Sequence, residues 1–122
     1  MAKKILIVDD EPNIVISLEF LMKREGFDVS IANDGEEAVH SIRSGRPDLV
    51  LLDVMMPKKN GFEVCQEIKA DPELKGVRIL MLTAKGRDTE VSKGLALGAD
   101  AYMTKPFSTK ELVERVRSML EN

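Results

Sequence analysis

Asp9 and Asp10 follow the apolar run Ile5 to Val8, Asp53 follows Leu49 to Leu52, Thr83 follows Ile79 to Leu82, and Lys105 with Pro106 follows Ala101 to Thr104. If these runs are parallel strands of one open sheet, the residues after them share the edge at which such sheets bind ligands. Three carboxylates, a hydroxyl and an ammonium would then meet in one crevice. Carboxylates in close range repel one another, so a proton or a cation must neutralise them. All-oxygen donors select a hard cation. Mg²⁺ suits two or three carboxylates with positions left for water and phosphate, at metal–oxygen distances of roughly 2.1 Å, and Mn²⁺ can substitute. Phosphoryl transfer depends on positioning and charge neutralisation, which a metal, Lys105 and the Thr83 hydroxyl supply, and an Asp carboxylate is a competent nucleophile. In this reading the metal bridges Asp53 and a phosphoryl oxygen, Lys105 binds a second oxygen, and Thr83 donates to a third once the product has formed.

Those residues need a scaffold, and the chain has the pattern of one. Five short apolar runs read as strands: Ile5 to Val8, Val29 to Ala32, Leu49 to Leu52, Ile79 to Leu82 and Ala101 to Thr104. The first, third and fourth are continuous rather than alternating, as strands buried on both faces of a parallel sheet are. Between them lie helical stripes such as Ile14, Leu18, Leu21 and Met22, or Leu112, Val116, Met119 and Leu120. Asp34 with Glu37, Asn60 with Glu63 and Ser108 with Glu111 have the spacing of helix starts. Gly26 and Gly45 each close a helical stretch where a left-handed residue is wanted. The stretch from Lys85 to Gly98 is the weakest helix, because Gly86, Ser92 and Gly94 lower its propensity, and it is expected to be mobile. The pattern is βα five times, a doubly wound α/β domain over residues 1–122 with right-handed crossovers. The sequence ends about where the fifth helix should, so no output domain is expected within it.

Bulk properties narrow the function classes. A chain of 122 residues with 43% hydrophobic residues suits one packed domain. Its net charge of -3 provides no basic field for nucleic acid or anionic lipid, so a protein is the expected partner. Aromatic residues are scarce and Trp is absent, which weakens any single-strand stacking platform. The lone Cys65 cannot form an internal disulfide, and Ile5 to Val8 is too short for a signal-peptide core or a membrane span. A cytoplasmic setting is the expectation.

The segments Val8-Asp-Asp-Glu-Pro12, Leu52-Asp-Val-Met-Met-Pro57, Leu82-Thr-Ala84 and Thr104-Lys-Pro-Phe107 resemble the receiver domain of bacterial two-component response regulators, across essentially the whole chain. The resemblance implies a flavodoxin-like sheet in the order 2-1-3-4-5 and phosphorylation of Asp53 by a sensor histidine kinase or phosphotransfer protein. It implies Asp10 as direct metal ligand, Asp9 as a ligand through water, and the backbone carbonyl of Met55 as a further ligand. Thr83 and Lys105 would contact the phosphoryl group, Tyr102 would turn inward with Thr83, and the Lys105–Pro106 bond would be cis. A phosphorylation-dependent homodimer and a downstream protein target are the partner expectations, with no direct nucleic acid and no membrane. Met55 and Lys85 stand where the family varies in phosphoryl lifetime. An apolar Met55 cannot position an attacking water, so slow self-dephosphorylation is expected.

Taken singly these residues are ordinary. Asp10 could cap the first helix, Asp9 could be a solvated turn residue, and Asp53 could end a strand before loop residues Pro57, Asn60 and Gly61. Tyr102 could be a half-buried packing residue, Met55 and Met56 loop packing or a soft contact surface, Cys65 a buried structural thiol and His40 a solvated side chain. Only the set is specific. Three further readings remain. A Mg²⁺-dependent aspartyl-phosphate hydrolase needs an acid two positions after its nucleophile, where Met55 stands. A receiver fragment of a longer DNA-binding regulator would share the fold, whereas a docking module never phosphorylated needs neither Lys105 nor three carboxylates, so the complete pocket weighs against it.

Overall fold

The computed structural model describes residues 2–56, 58–74, 76–83 and 88–121. Strand and helix alternate throughout: β1 Lys4–Val8, α1 Pro12–Arg24, β2 Asp28–Ala32, α2 Gly35–Gly45, β3 Leu49–Asp53, α3 Gly61–Ala70, β4 Arg78–Thr83, α4 Asp88–Ala96, β5 Ala101–Thr104 and α5 Thr109–Leu120. The strands form one parallel sheet in the order β2-β1-β3-β4-β5. This is the doubly wound, flavodoxin-like arrangement expected of the sequence.

The continuous apolar runs split by the two-residue strand period into two cores. Ile5, Ile7, Leu49, Leu51, Leu80 and Leu82 point to the side covered by Leu18, Leu21 and Met22 of α1 and Leu112 and Val116 of α5. Leu6, Val8, Val50, Leu52, Ile79 and Met81 point to the other, against Ala38 and Ile42 of α2 and Val64, Cys65 and Ile68 of α3. The central strand β3 is buried along its whole length, Asp53 included. Among the described residues no helix is long and apolar enough to cross a membrane.

Helix ends follow local chemistry. Asp34 and Ser108 accept from the backbone N–H three residues on, and Asn60 with Glu63 forms a reciprocal capping box. After α1, Gly26 takes a φ of 91°, and the N–H groups of Gly26 and Phe27 return to the carbonyls of Lys23 and Met22. Gly45 does not play that part. The left-handed residue after α2 is Arg46, at φ 45°. Pro47 disfavours the right-handed helical conformation in the residue before it, so the helix does not continue through Arg46. Of the fourth helical stretch, Asp88 to Ala96 is helical, and Lys85 lies outside the described residues.

Gly61 is the first residue of α3 rather than a loop residue, and it has no room for a side chain. A Cβ there would sit 2.5 Å from the Asp53 carbonyl oxygen and 2.9 Å from the Val54 Cα, both fixed backbone, whereas one on Gly45 would meet nothing within 4 Å. Gly61→Ala is expected to destabilise by about 1–3 kcal/mol through overpacking, and Gly45→Ala to be neutral or stabilising by up to ~1 kcal/mol through helix propensity. Urea unfolding of the two variants checks this; equal effects would show that the approach of α3 to β3 is not tight.

Candidate functional site

The sheet delivers the expected residues to one edge. Asp9 follows β1, its N–H donating to the Ala32 carbonyl at 3.3 Å. Its side chain is fully buried; Oδ1 accepts from the Glu11 N–H at 2.9 Å and Oδ2 from the Lys105 ammonium at 3.0 Å. With both oxygens engaged inside the protein, Asp9 turns back the chain entering α1, whose N-cap residue is Glu11. Asp10 is therefore not the cap. It is exposed at the mouth of the crevice, and oxygens of Asp9, Asp10 and Asp53 all lie within 4.8 Å of one another.

Asp53, the last residue of β3, is 5% exposed. Its Oδ1 lies 3.4 Å from Lys105 Nζ, so one ammonium touches two acids. Burial first, and then repulsion from Asp9, push the Asp53 carboxyl up to about 6 against an ordinary value of 3.8, with Lys105 opposing. Burial alone would lower the Lys105 pKa; the hydrogen bonds and charges of Asp9 and Asp53 outweigh it and leave that pKa above the ordinary lysine value. Lys105 is thus a fixed positive charge. Three carboxylates against one ammonium leave a negative excess, and a hard cation matches this all-oxygen donor set.

Thr83 ends β4 and is buried. It lies one residue beyond Leu82, which is paired with Asp53, and its carbonyl accepts the Lys105 N–H at 2.6 Å. The Lys105–Pro106 peptide bond is cis, as the resemblance implied. Tyr102, on edge strand β5, faces outward and is 38% exposed. Met55 and Met56 separate in character: Met55 projects into solvent, 72% exposed, and Met56 packs on the core. Cys65 is buried with its thiol raised to about 11 by burial, and His40 is exposed. Neither belongs to the site.

Gly61 is the residue that reading by motif passed over. Its N–H donates to the Val54 carbonyl at 2.8 Å, closing the chain over Asp53. A glycine directly after the capping residue Asn60 was the available signal, since glycine there costs helix propensity without a local reason.

Comparison with known proteins agrees with this geometry. The response regulator receiver domain family matches residues 5–117. Among solved structures, a response-regulator candidate from Chloroflexus aurantiacus J-10-fl is 36% identical with a TM-score of 0.95, each chain covered in full. The chemotaxis response regulator CheY4 of Vibrio cholerae is 31% identical with a TM-score of 0.93, over 98% of this chain and 100% of that one. The receiver domain of DrrB in its BeF3-activated form is 34% identical with a TM-score of 0.90, each chain again covered in full. This chain belongs to the response regulator receiver domain family, the phosphoacceptor switches of phosphorelay signalling.

Proposed function

We propose that Asp53 accepts a phosphoryl group from a phosphohistidine of a sensor histidine kinase or phosphotransfer protein in the cytoplasm. The observation that carries this is the Asp9, Asp10 and Asp53 cluster with Lys105 touching two of its members. Asp10, Asp53 and the Met55 carbonyl would hold Mg²⁺, or Mn²⁺ in its place, with Asp9 behind them through water. When bound, the cation neutralises the carboxylates and the phosphoryl oxygens between them.

The chain's own residues perform the rest. Ionised Asp53 attacks phosphorus, a P–O bond forms as the P–N bond breaks, and the departing imidazole keeps the electron pair. Asp53 gives up its carboxylate charge and gains a phosphoryl dianion, so Lys105 is drawn from the Asp9–Asp53 pair toward a phosphoryl oxygen. Thr83 donates its hydroxyl to another, vacating space toward which Tyr102 turns from its exposed position. Such a coupling is commonly worth ~1–3 kcal/mol, so it shifts populations at the β5 face rather than locking them. A downstream protein, or a second copy of the chain, reads that face. Hydrolytic turnover is disfavoured because Met55 occupies the position an acid would need.

Three outcomes are expected. Acetyl phosphate with Mg²⁺ adds one phosphoryl mass to the wild type and none to Asp53→Asn by intact mass spectrometry; label persisting in the variant would place the acceptor elsewhere. The phosphoryl group outlasts seconds once the donor is removed, because Met55 orients no water, and loss within seconds would refute that role.

The third concerns pH. Asp53 is harder to ionise folded than unfolded, so its contribution to stability is full below the unfolded value near 3.8 and is lost as pH rises through about 6. Asp53→Asn never ionises. Without metal it is expected to be more stable than the wild type by about 1–3 kcal/mol at neutral pH, the gap closing by about pH 4. Urea unfolding at both pH values decides, and a pH-independent gap would exclude the buried charge as its cause.

A further inference from the structure

The Met55 carbonyl is offered by main chain outside any strand or helix, so contacts on either side of it must fix its direction. On the upstream side the Val54 N–H donates to the Leu82 carbonyl at 3.2 Å. On the downstream side Lys58 holds a left-handed φ of 69°, a conformation that L residues other than glycine keep only where surroundings impose it. The next residue lies against α2. A Cβ on Gly35 would come 2.1 Å from the Lys59 carbonyl oxygen and 2.3 Å from the Lys59 Cβ, so the two backbones meet directly.

Side chains then tie this segment to two helices. Lys58 Nζ lies 3.7 Å from Oδ2 of Asp34, the residue that caps α2. Lys59 Nζ lies 2.9 Å from Glu67 Oε1 on α3, Glu67 Oε2 lies 3.4 Å from Arg43 on α2, and Arg43 reaches Asp71 at 3.1 Å. The Lys59 and Glu67 side chains are about one-third exposed, at 32% and 33%. Their mutual hydrogen bond is the largest influence on each, raising the Lys59 pKa and lowering that of Glu67.

We infer that the Lys59–Glu67–Arg43 chain positions the metal site, holding Lys58 in its left-handed conformation so that the Met55 carbonyl is directed before a cation arrives. This rests on the reading of Met55 given under the proposed function. Lys59, Glu67 and Arg43 touch neither the cation nor the phosphoryl group in this account; they are positioning residues acting through backbone.

Charge alone and positioning give opposite signs, which makes the inference testable. Lys59→Ala removes a positive charge near an acidic cluster, so through-space electrostatics would tighten Mg²⁺ binding, whereas loss of positioning loosens it. The Mg²⁺ dissociation constant of the unphosphorylated protein, from the Mg²⁺-dependent rise in Tm and the amide shifts of Val54, Met55 and Gly61, is expected to rise about two- to fivefold in Lys59→Ala. Lys59→Arg should restore wild-type affinity. Arg46→Ala, which breaks the exposed Arg46–Glu73 pair away from the site, should leave it unchanged. Unchanged or tighter binding in Lys59→Ala, with the wild type binding normally, overturns the positioning role alone. Absence of any Mg²⁺ response in the wild type overturns the metal reading and this inference together.

Discussion

Lys105 lies between two buried carboxylates that it cannot neutralise alone, and much of the molecule can be understood from that imbalance. One ammonium faces Asp9 and Asp53 directly, with Asp10 at the rim. Desolvation makes the remaining negative charge costly, and the cost is expressed in the raised pKa of Asp53. A carboxylate in that condition favours whatever offsets its charge, whether a proton or a cation. The same lysine is held by both acids, at 3.0 Å from Asp9 and 3.4 Å from Asp53.

Such an imbalance survives only where the surrounding fold is strong. Strand β3 carries Asp53 out of a fully buried run, flanked on one side by β1 and on the other by β4, with helices over both faces. Each buried Leu or Ile contributes about 1.5–3 kcal/mol, so the sheet can tolerate a charged residue at its end. Close backbone approach does the rest. Gly61 brings α3 onto the Asp53 carbonyl, and Gly35 brings α2 onto Lys59, so both helix starts converge on the segment that follows the acid. Tyr102, by contrast, stands partly exposed on edge strand β5.

Much of the fold was legible beforehand because its signals are local or periodic. Continuous apolar runs marked strands buried on both sides, and Asp34, Asn60 and Ser108 marked helix starts through hydrogen bonds spanning three residues. The exception at Gly45 is instructive: glycine permits a left-handed turn, but α2 runs through Gly45 and the left-handed residue is Arg46. Gly61 failed to stand out for a related reason. A helix-start glycine looks like loop composition until one sees the backbone that occupies the space of its missing Cβ.

The sequence by itself determined which residue types stand after each strand, and hence that three acids, a hydroxyl and an ammonium share one edge. Only the tertiary structure decided how they divide: Asp9 buried and engaged by Glu11 and Lys105, Asp10 exposed, Asp53 buried with a raised pKa, Tyr102 facing out. It also decided that Lys58 and Lys59, unremarkable as charged loop residues, are bound to α2 and α3. Strand periodicity and capping act over a few residues and can be read along the chain. Burial, charge repulsion and backbone crowding depend on distances between residues far apart in sequence, such as Lys105 from Asp9 and Asp53, and those exist only once the chain is folded.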